Sequence, residues 1–234
     1  MNKLLVISGG TKGIGKEIIL KFASKGFDIV TCARNEENLK TLKSEISDKF
    51  KVKIHTFRAD MSKKEEVLAF ADFVKSLKQD IEVLVNNAGF FIPGTILEEE
   101  DGALEQMMNT NLYSAYHLTR ALTPLMLVKK SGDIFNICSV ASIMAYPNGG
   151  SYSISKFALL GFSKVLREEL KEKGIRVVSV IPGATLTASW EGVDLPAERF
   201  MKAEDIAETI YSVYSLSRQT VVEEILIRPQ LGDL

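Results

Sequence analysis

The run Leu4-Leu5-Val6-Ile7-Ser8-Gly9-Gly10-Thr11-Lys12-Gly13-Ile14-Gly15-Lys16-Glu17 decides the fold. Its unbroken apolar start suits a strand covered on both faces, the situation of a strand inside a parallel sheet. Glycines at 9, 13 and 15 then allow a sharp turn, and a helical pattern follows. Such a turn faces the free N–H groups of the helix start, which favour an anion such as a pyrophosphate. The spacing fits neither the Gly-Lys-Ser/Thr phosphate loop nor the G-x-G-x-x-G fingerprint. Taken alone, it also suits a tight strand-to-helix turn without a ligand.

The same alternation continues outward from that run. Leu4–Ile7, Ile29–Ala33, Val52–Phe57, Ile81–Val85, Ile134–Cys138, Ile175–Ile181 and Val221–Ile227 read as strands. Helical patterns lie between them at about 14–25, 35–48, 62–78, 99–128, 151–173 and 202–216. Asn35 before Glu36-Glu37, and Ser62 with Glu65 three residues on, are helix-start signals. Strands and helices in alternation predict a doubly wound α/β parallel sheet with helices on both faces. No linker or repeat divides residues 1–234, so one domain is expected. The irregular stretch from Pro182 to about 200 is a candidate loop or lid over a site at the carboxyl ends of the strands.

The composition narrows the function classes. The 234 residues are 46% hydrophobic, with 29 Lys and Arg against 30 Asp and Glu. A near-zero net charge gives no field toward nucleic acid or an anionic membrane. The apolar run at the N-terminus is too short for a signal peptide, and no stretch spans a bilayer. Two cysteines, Cys32 and Cys138, make no disulfide framework; both lie in apolar runs, as buried thiols of a cytoplasmic protein would. No metal site is expected.

Two cations refine the ligand. An acidic residue at the end of the second strand would bond an adenosine 2′-hydroxyl, but the sequence there is Thr31-Cys32-Ala33-Arg34. Arg34 and Lys12 could face a 2′-phosphate, which a guanidinium binds in a forked geometry. NADP(H) is therefore preferred over NAD(H), although two solvated loop charges would read the same way.

A second set of residues carries chemistry. Tyr152 and Lys156 are four apart and share a helix face with Leu159, Ser163, Leu166 and Leu170. An inward ammonium beside a phenol would lower the phenol's pKa toward neutrality and make it a general acid. Ser139 follows the fifth strand. Asn111 shares a stripe with Leu104, Met107, Met108, Leu112 and Ala115, either as a bonded core amide or as the holder of a water beside the site.

Gly9-x3-Gly13-x-Gly15, Asp60, Asn86-Asn87-Ala88-Gly89, Asn111, Ser139, Tyr152-x3-Lys156 and Pro182-Gly183-x3-Thr187 occur in this order. In conjunction they resemble the short-chain dehydrogenase/reductase family. The resemblance implies a Rossmann-type sheet of seven parallel strands and an NADP(H)-dependent oxidoreductase. Its reaction would be reversible hydride transfer between NADPH and a carbonyl or secondary alcohol, on a 3-oxoacyl compound or a generic ketone or aldehyde. A non-catalytic NADP(H)-binding regulator on the same fold is the alternative. The implied catalytic set is Asn111, Ser139, Tyr152 and Lys156, with Tyr152 as acid and base. The implied cofactor set is Gly9, Thr11, Lys12, Gly13, Ile14, Gly15, Arg34, Asp60, Met61, Asn87, Ala88, Gly89, Tyr152, Lys156, Pro182, Gly183, Thr185 and Thr187. Within it, Asp60 would meet the adenine, Asn87 and Ala88 would support the ribose, and Ile181 to Thr187 would flank the nicotinamide amide. A homodimer or homotetramer is also implied. Ser8 stands where the family more often has Thr, and the 182–200 loop is shorter than in the carrier-protein reductases.

Overall fold

In the computed structural model, residues 2–187 and 194–233 are described. The predicted strands become β1 (Leu4–Ser8), β2 (Asp28–Ala33), β3 (Ile54–Arg58), β4 (Ile81–Asn86), β5 (Gly132–Ile137), β6 (Ile175–Pro182) and β7 (Glu224–Ile227). They form one sheet in the order β3-β2-β1-β4-β5-β6-β7, with every pair parallel. The order reverses between β1 and β4. A crevice at the carboxyl ends of the strands opens at such a point.

The unbroken apolar character of the strands has a direct cause. Leu5 and Ile7 enter the core on one face, together with Ile18, Ile19 and Phe22 of α1 (Gly13–Ser24) and Leu42 and Ile46 of α2 (Glu36–Lys49). Leu4 and Val6 enter the core on the other face, with Val67, Phe70 and Val74 of α3 (Lys64–Ser76). Successive side chains of a strand point to opposite faces, so a strand covered twice needs apolar residues at every position. At the far end of the first face, α7 (Ala203–Tyr214) sets Tyr211 and Tyr214 against Phe22 at ring separations of 5.3 and 5.8 Å.

The second face is completed by α5 (Ser114–Lys129) and α6 (Gly150–Leu170). A polar ladder is buried beneath them. Asn86 Nδ2 donates to Thr119 Oγ1 (2.9 Å) and Asn136 Oδ1 (2.7 Å), Asn136 Nδ2 to Ser163 Oγ (2.9 Å), and Ser179 Oγ to Ser163 Oγ (2.8 Å). Asn86, Asn136 and Ser179 are register partners on β4, β5 and β6. The ladder therefore fixes the rotation of α6 about its axis, because an unmade buried hydrogen bond costs about 1–3 kcal/mol.

Three expectations need correction. The pattern at 99–128 is not one uniform helix: α4 (Ala103–Met108) passes through a π turn (Asn109–Tyr113) into α5. The extra residue in that turn shifts the buried stripe, so Ala103, Met107 and Asn111 lie inside and Leu104 is exposed. Ser62 does not cap α3, which starts at Lys64; its N–H and hydroxyl instead donate to Asp60 Oδ1. The strand predicted at 52–57 runs from Ile54 to Arg58, and the one predicted at 221–227 starts at Glu224. Asn35 does cap α2, accepting from Asn38 N at 2.9 Å. Of the loop at 182–200, residues 188–193 lie outside the described residues.

Candidate active site

The turn after β1 carries Gly9 and Gly13 at positive φ (+70° and +52°), with Thr11 half-buried and Lys12 exposed between them. At Gly15 a Cβ would collide with Gly9 O and sit 2.5 Å from Asn87 Nδ2, so only glycine lets α1 begin this close to the strand end. No side chain caps the start of α1, and its first turn has no acidic residue. Ile14 packs against the core.

Asn87 is bound to this turn. Its Nδ2 donates to Ser8 O (3.0 Å) and Gly9 O (2.8 Å), while Ser8 Oγ accepts from the backbone N–H of Asn87 and Ala88. A hydroxyl is needed at position 8 for that bridge, and serine supplies it. Gly89 then brings the chain to Asn111 and Lys156: a Cβ there would lie 3.1 Å from Asn111 Oδ1 and 3.6 Å from Lys156 Nζ.

On the other side of β1, Arg34 is exposed just beyond β2. Neither Arg34 nor Lys12 forms an ion pair among the described residues. Burial would raise the pKa of Asp60, but the Ser62 bonds, Arg34 and Lys63 together hold it below the ordinary value. The Met61 side chain is buried, with Cys32 Sγ 3.4 Å from its Sδ. Both thiols are buried and free, and burial pushes Cys32 up to about 12 and Cys138 to about 11.

Ser139 lies two residues past β5 and caps the short turn Val140–Ser142. Its Oγ accepts from Ala141 N at 3.1 Å, and its own N–H donates to Ser142 Oγ at 3.2 Å. A hydroxyl that accepts from the backbone keeps its single proton free to donate. Ser139 is within hydrogen-bonding reach of the Tyr152 phenol.

Lys156 is buried one helical turn from Tyr152, and its Nζ donates to Ile137 O at 2.8 Å. Burial lowers its pKa from 10.5 to about 8. The expected lowering of the Tyr152 pKa does not occur. Burial raises it, and the Ser139 hydrogen bond offsets only part of the rise. The physical reason is desolvation: a buried phenolate is disfavoured by more than the Ser139 bond favours it, while the Lys156 ammonium is held on Ile137 O.

The Lys156 shift has a stability consequence with a definite sign. The unfolded chain holds the proton more tightly than the folded one, so the penalty is complete below pH 8 and fades as the pH rises toward 10.5. Lys156→Met is expected to stabilise the protein at neutral pH, by up to about 3 kcal/mol, with the gain vanishing in alkali. Thermal unfolding at both pH values checks this. A variant less stable at neutral pH would show that the Ile137 bond outweighs desolvation.

Asn111 sits in the π turn, almost wholly buried. It accepts from Phe90 N (2.9 Å) and donates to Phe90 O (3.1 Å) and Ser155 Oγ (2.9 Å). Both amide protons are therefore taken by protein atoms. Of the two readings open in the sequence, this geometry favours the bonded core amide.

Beyond β6, Gly183 N donates to Ile227 O at 2.8 Å, and the Gly183 Cα faces Pro229, Arg228 and Asp233 of the C-terminal segment. Pro182 ends β6. Thr185 Oγ1 donates to Gly183 O at 3.0 Å. Thr187 returns to the glycine turn, its Cγ2 3.0 Å from where a Gly13 Cβ would stand. The structure thus gathers the glycine turn, Asn87–Gly89, Asn111, Ser139, Tyr152, Lys156 and 182–187 at one edge of the sheet.

Three neighbours were not foreseen. Phe91 packs against Tyr152 with ring centroids 4.8 Å apart and an interplanar angle of 66°. Tyr146 is close enough to Tyr152 for the two phenols to act on each other, and burial pushes it up to about 12. Glu99 reaches the first turn of α6. The Phe90-Phe91 pair in an otherwise unpatterned loop was the only signal in the sequence.

Comparison with known proteins gives a consistent picture. The family model described as short chain dehydrogenase matches residues 3–196. A sepiapterin reductase from Chlorobaculum tepidum is 34% identical over 242 residues, spanning 100% of this chain and 99% of that protein. Among solved structures, an alcohol dehydrogenase from the archaeon Thermococcus sibiricus, complexed with 5-hydroxy-NADP, superposes with a TM-score of 0.93 at 25% identity, covering 100% of this chain and 99% of the other. L-sorbose reductase from Gluconobacter frateurii, complexed with NADPH and L-sorbose, gives 0.89 at 28%, covering 97% and 95%.

Proposed function

Since the chain belongs to the short-chain dehydrogenase family, we propose that it is an NADP(H)-dependent oxidoreductase interconverting a carbonyl compound and its alcohol. The observation that carries this reading is the juxtaposition of Tyr152, Ser139 and Lys156 beside the uncapped glycine turn. That turn suits a pyrophosphate, because the first N–H groups of α1 lack side-chain partners and the glycines admit close approach. Gly9 to Gly15 would hold the pyrophosphate, Lys12 and Arg34 the 2′-phosphate, and Asp60 with the Met61 backbone the adenine. Ala88 and Gly89 would line the ribose side, with Asn87 shaping the turn. Pro182, Gly183, Thr185 and Thr187 would form the wall at the nicotinamide end.

When bound, the nicotinamide supplies the hydride. The chain's own residues manage the oxygen. Ser139 and Tyr152 donate hydrogen bonds to the substrate oxygen, and these strengthen as negative charge grows there, so they favour the transition state over the bound substrate. Burial keeps the Tyr152 phenol protonated until the oxygen takes its proton. Lys156, still an ammonium at neutral pH, bonds the cofactor ribose and biases proton return to Tyr152. Asn111 holds the Phe90 backbone and Ser155 in place.

The substrate class is a ketone, aldehyde or 3-oxoacyl compound. The three relatives named above act on different molecules, so none supplies the substrate here. The exposed Tyr113 of the π turn, Tyr116 of α5, and Phe157 and Val165 of α6 suit a homodimer or homotetramer face. Two buried reduced thiols suit the cytoplasm. No described helix is long and apolar enough to cross a membrane.

The test is an assay of wild type and the Lys12→Ala/Arg34→Ala variant with NADPH and NADH over a panel of ketones, quinones, sugars and 3-oxoacyl thioesters. Wild type is expected to prefer NADPH. The variant is expected to bind NADPH ten- to a hundredfold more weakly, matching about 1.5–3 kcal/mol for charged hydrogen bonds, with little change for NADH. A tenfold NADH preference in wild type would overturn the cofactor assignment. NADPH binding without turnover of any carbonyl would replace the enzyme by a cofactor-binding regulator.

A further inference from the structure

The first turn of α6 is assembled from a distance. The helix begins Gly149-Gly150-Ser151, and no side chain of its own caps it. Its cap comes from Glu99, fifty-two residues earlier: Oε1 accepts from Ser151 N at 2.8 Å and Oε2 from Ser151 Oγ. The loop between β4 and α4 is laid against the helix start to make this possible. Gly94 N donates to Asn148 O at 3.1 Å, and Gly94 and Gly149 form an isolated parallel bridge. The recess admits nothing larger than glycine. A Cβ on Gly150, which has φ +26°, would collide with Glu99 Oε1, and one on Gly94 would sit 2.7 Å from Glu99 Cγ. The same loop carries Phe91, whose ring lies on Tyr152. One carboxylate thus ties together the helix turn that presents the phenol and the loop that walls it.

We propose that Glu99 is a positioning residue for Tyr152, holding the start of α6 and the Phe91 loop in the register that lets the phenol reach the substrate oxygen. A carboxylate at a helix N-terminus meets both the free N–H groups and the positive end of the helix dipole. Without it, the Gly149-Gly150 start loses its only side-chain cap among the described residues, and glycines resist fraying least. The phenol oxygen then samples positions away from Ser139. A displacement of about 1 Å at a reacting group can cost on the order of a hundredfold in rate. The glycine turn is held by different contacts, those of Ser8 and Asn87, so cofactor binding is untouched. This inference rests on Tyr152 being the proton donor.

The experiment compares Glu99→Ala, Glu99→Gln and Tyr152→Phe in the full-length protein, with NADPH and a carbonyl found in the substrate panel. It records kcat, KM, NADPH Kd and the pH dependence of kcat. Glu99→Ala is expected to lower kcat roughly ten- to a hundredfold, with NADPH Kd within about twofold and the alkaline limb of the pH profile displaced. Glu99→Gln is expected to stay within about threefold of wild type, since its amide oxygen still accepts from Ser151 N and its NH₂ can donate to Ser151 Oγ. If Glu99→Ala does not fold, Ser151→Ala, which removes one of the two bonds, gives the same readout, with a smaller kcat loss and the same pH displacement expected. An unchanged kcat and pH profile in whichever of the two folds, or equal kcat losses in Glu99→Ala and Glu99→Gln, would overturn the proposal. Full turnover by Tyr152→Phe would instead overturn the underlying assignment of Tyr152.

Discussion

Tyr152→Phe is expected to reduce kcat by roughly two to four orders of magnitude, the contribution of a positioned general acid, while NADPH binds as tightly as before. The substitution removes one oxygen and leaves the ring. The edge-to-face contact with Phe91 at 4.8 Å survives, and so does the Ser155 Oγ bond to the Tyr152 backbone carbonyl at 2.7 Å. Fold and stability should therefore change little. What disappears is the phenol proton within reach of Ser139. Lys156 does not replace it, because its Nζ is held on Ile137 O at 2.8 Å. Fluorescence titration with NADPH and a turnover assay on the same preparation check both halves. Near wild-type turnover would remove Tyr152 from the mechanism; loss of NADPH binding in parallel would mean the phenol serves the cofactor instead.

Much of this arrangement was legible in the sequence because it rests on local chemistry. The apolar strands needed no tertiary information: Leu4 to Ile7 must be covered twice, and they are. Tyr152 and Lys156 share a face by helical geometry alone, and the inward stripe through Leu159, Ser163, Leu166 and Leu170 is buried as expected. What stayed hidden depends on contacts distant in sequence or on one added residue. The π turn at Asn109–Tyr113 changes no residue type, so a 3.6-residue period placed Leu104 inside when it lies outside. Glu99 stands in the run Glu98-Glu99-Glu100-Asp101, at the start of the pattern that reads as one helix over 99–128, and nothing in that run points to Ser151, fifty-two residues on. The direction of the Tyr152 pKa shift is hidden for a related reason. Spacing puts an ammonium one turn away but does not show how far tertiary packing desolvates the phenol.

The largest expected loss of stability lies at the opposite edge of the sheet, where Asp133→Ala should cost about 3–5 kcal/mol and leave kcat of the folded protein unchanged. Asp133 is the second residue of β5 and is fully buried. Its carboxylate accepts from Arg176 Nε and, at 3.0 Å, from Arg176 Nη2, and from Arg218 Nη1 at 2.9 Å. The two arginines also hold the chain between α7 and β7. Arg176 donates to the carbonyls of Tyr214, Leu216, Ser217 and Thr220, and Arg218 to those of Gly132 and Gly174. Removing the carboxylate strands the buried Arg176 guanidinium without its counter-charge, whereas the more exposed Arg218 can turn to water. For a protein of this length the Tm should fall by roughly 6–20 °C. Because the pair is buried, added salt should not reproduce the effect. Ser139 lies past the far end of the strand, about 20 Å away at 3.3 Å per residue, so kcat measured well below the lowered Tm should match wild type. Asp133→Ala/Arg176→Met, which removes both charges, should recover much of the loss. A Tm drop of only a degree or two, or a kcat loss in the folded variant, would show that the charge cluster at the amino edge is not a separable scaffold element.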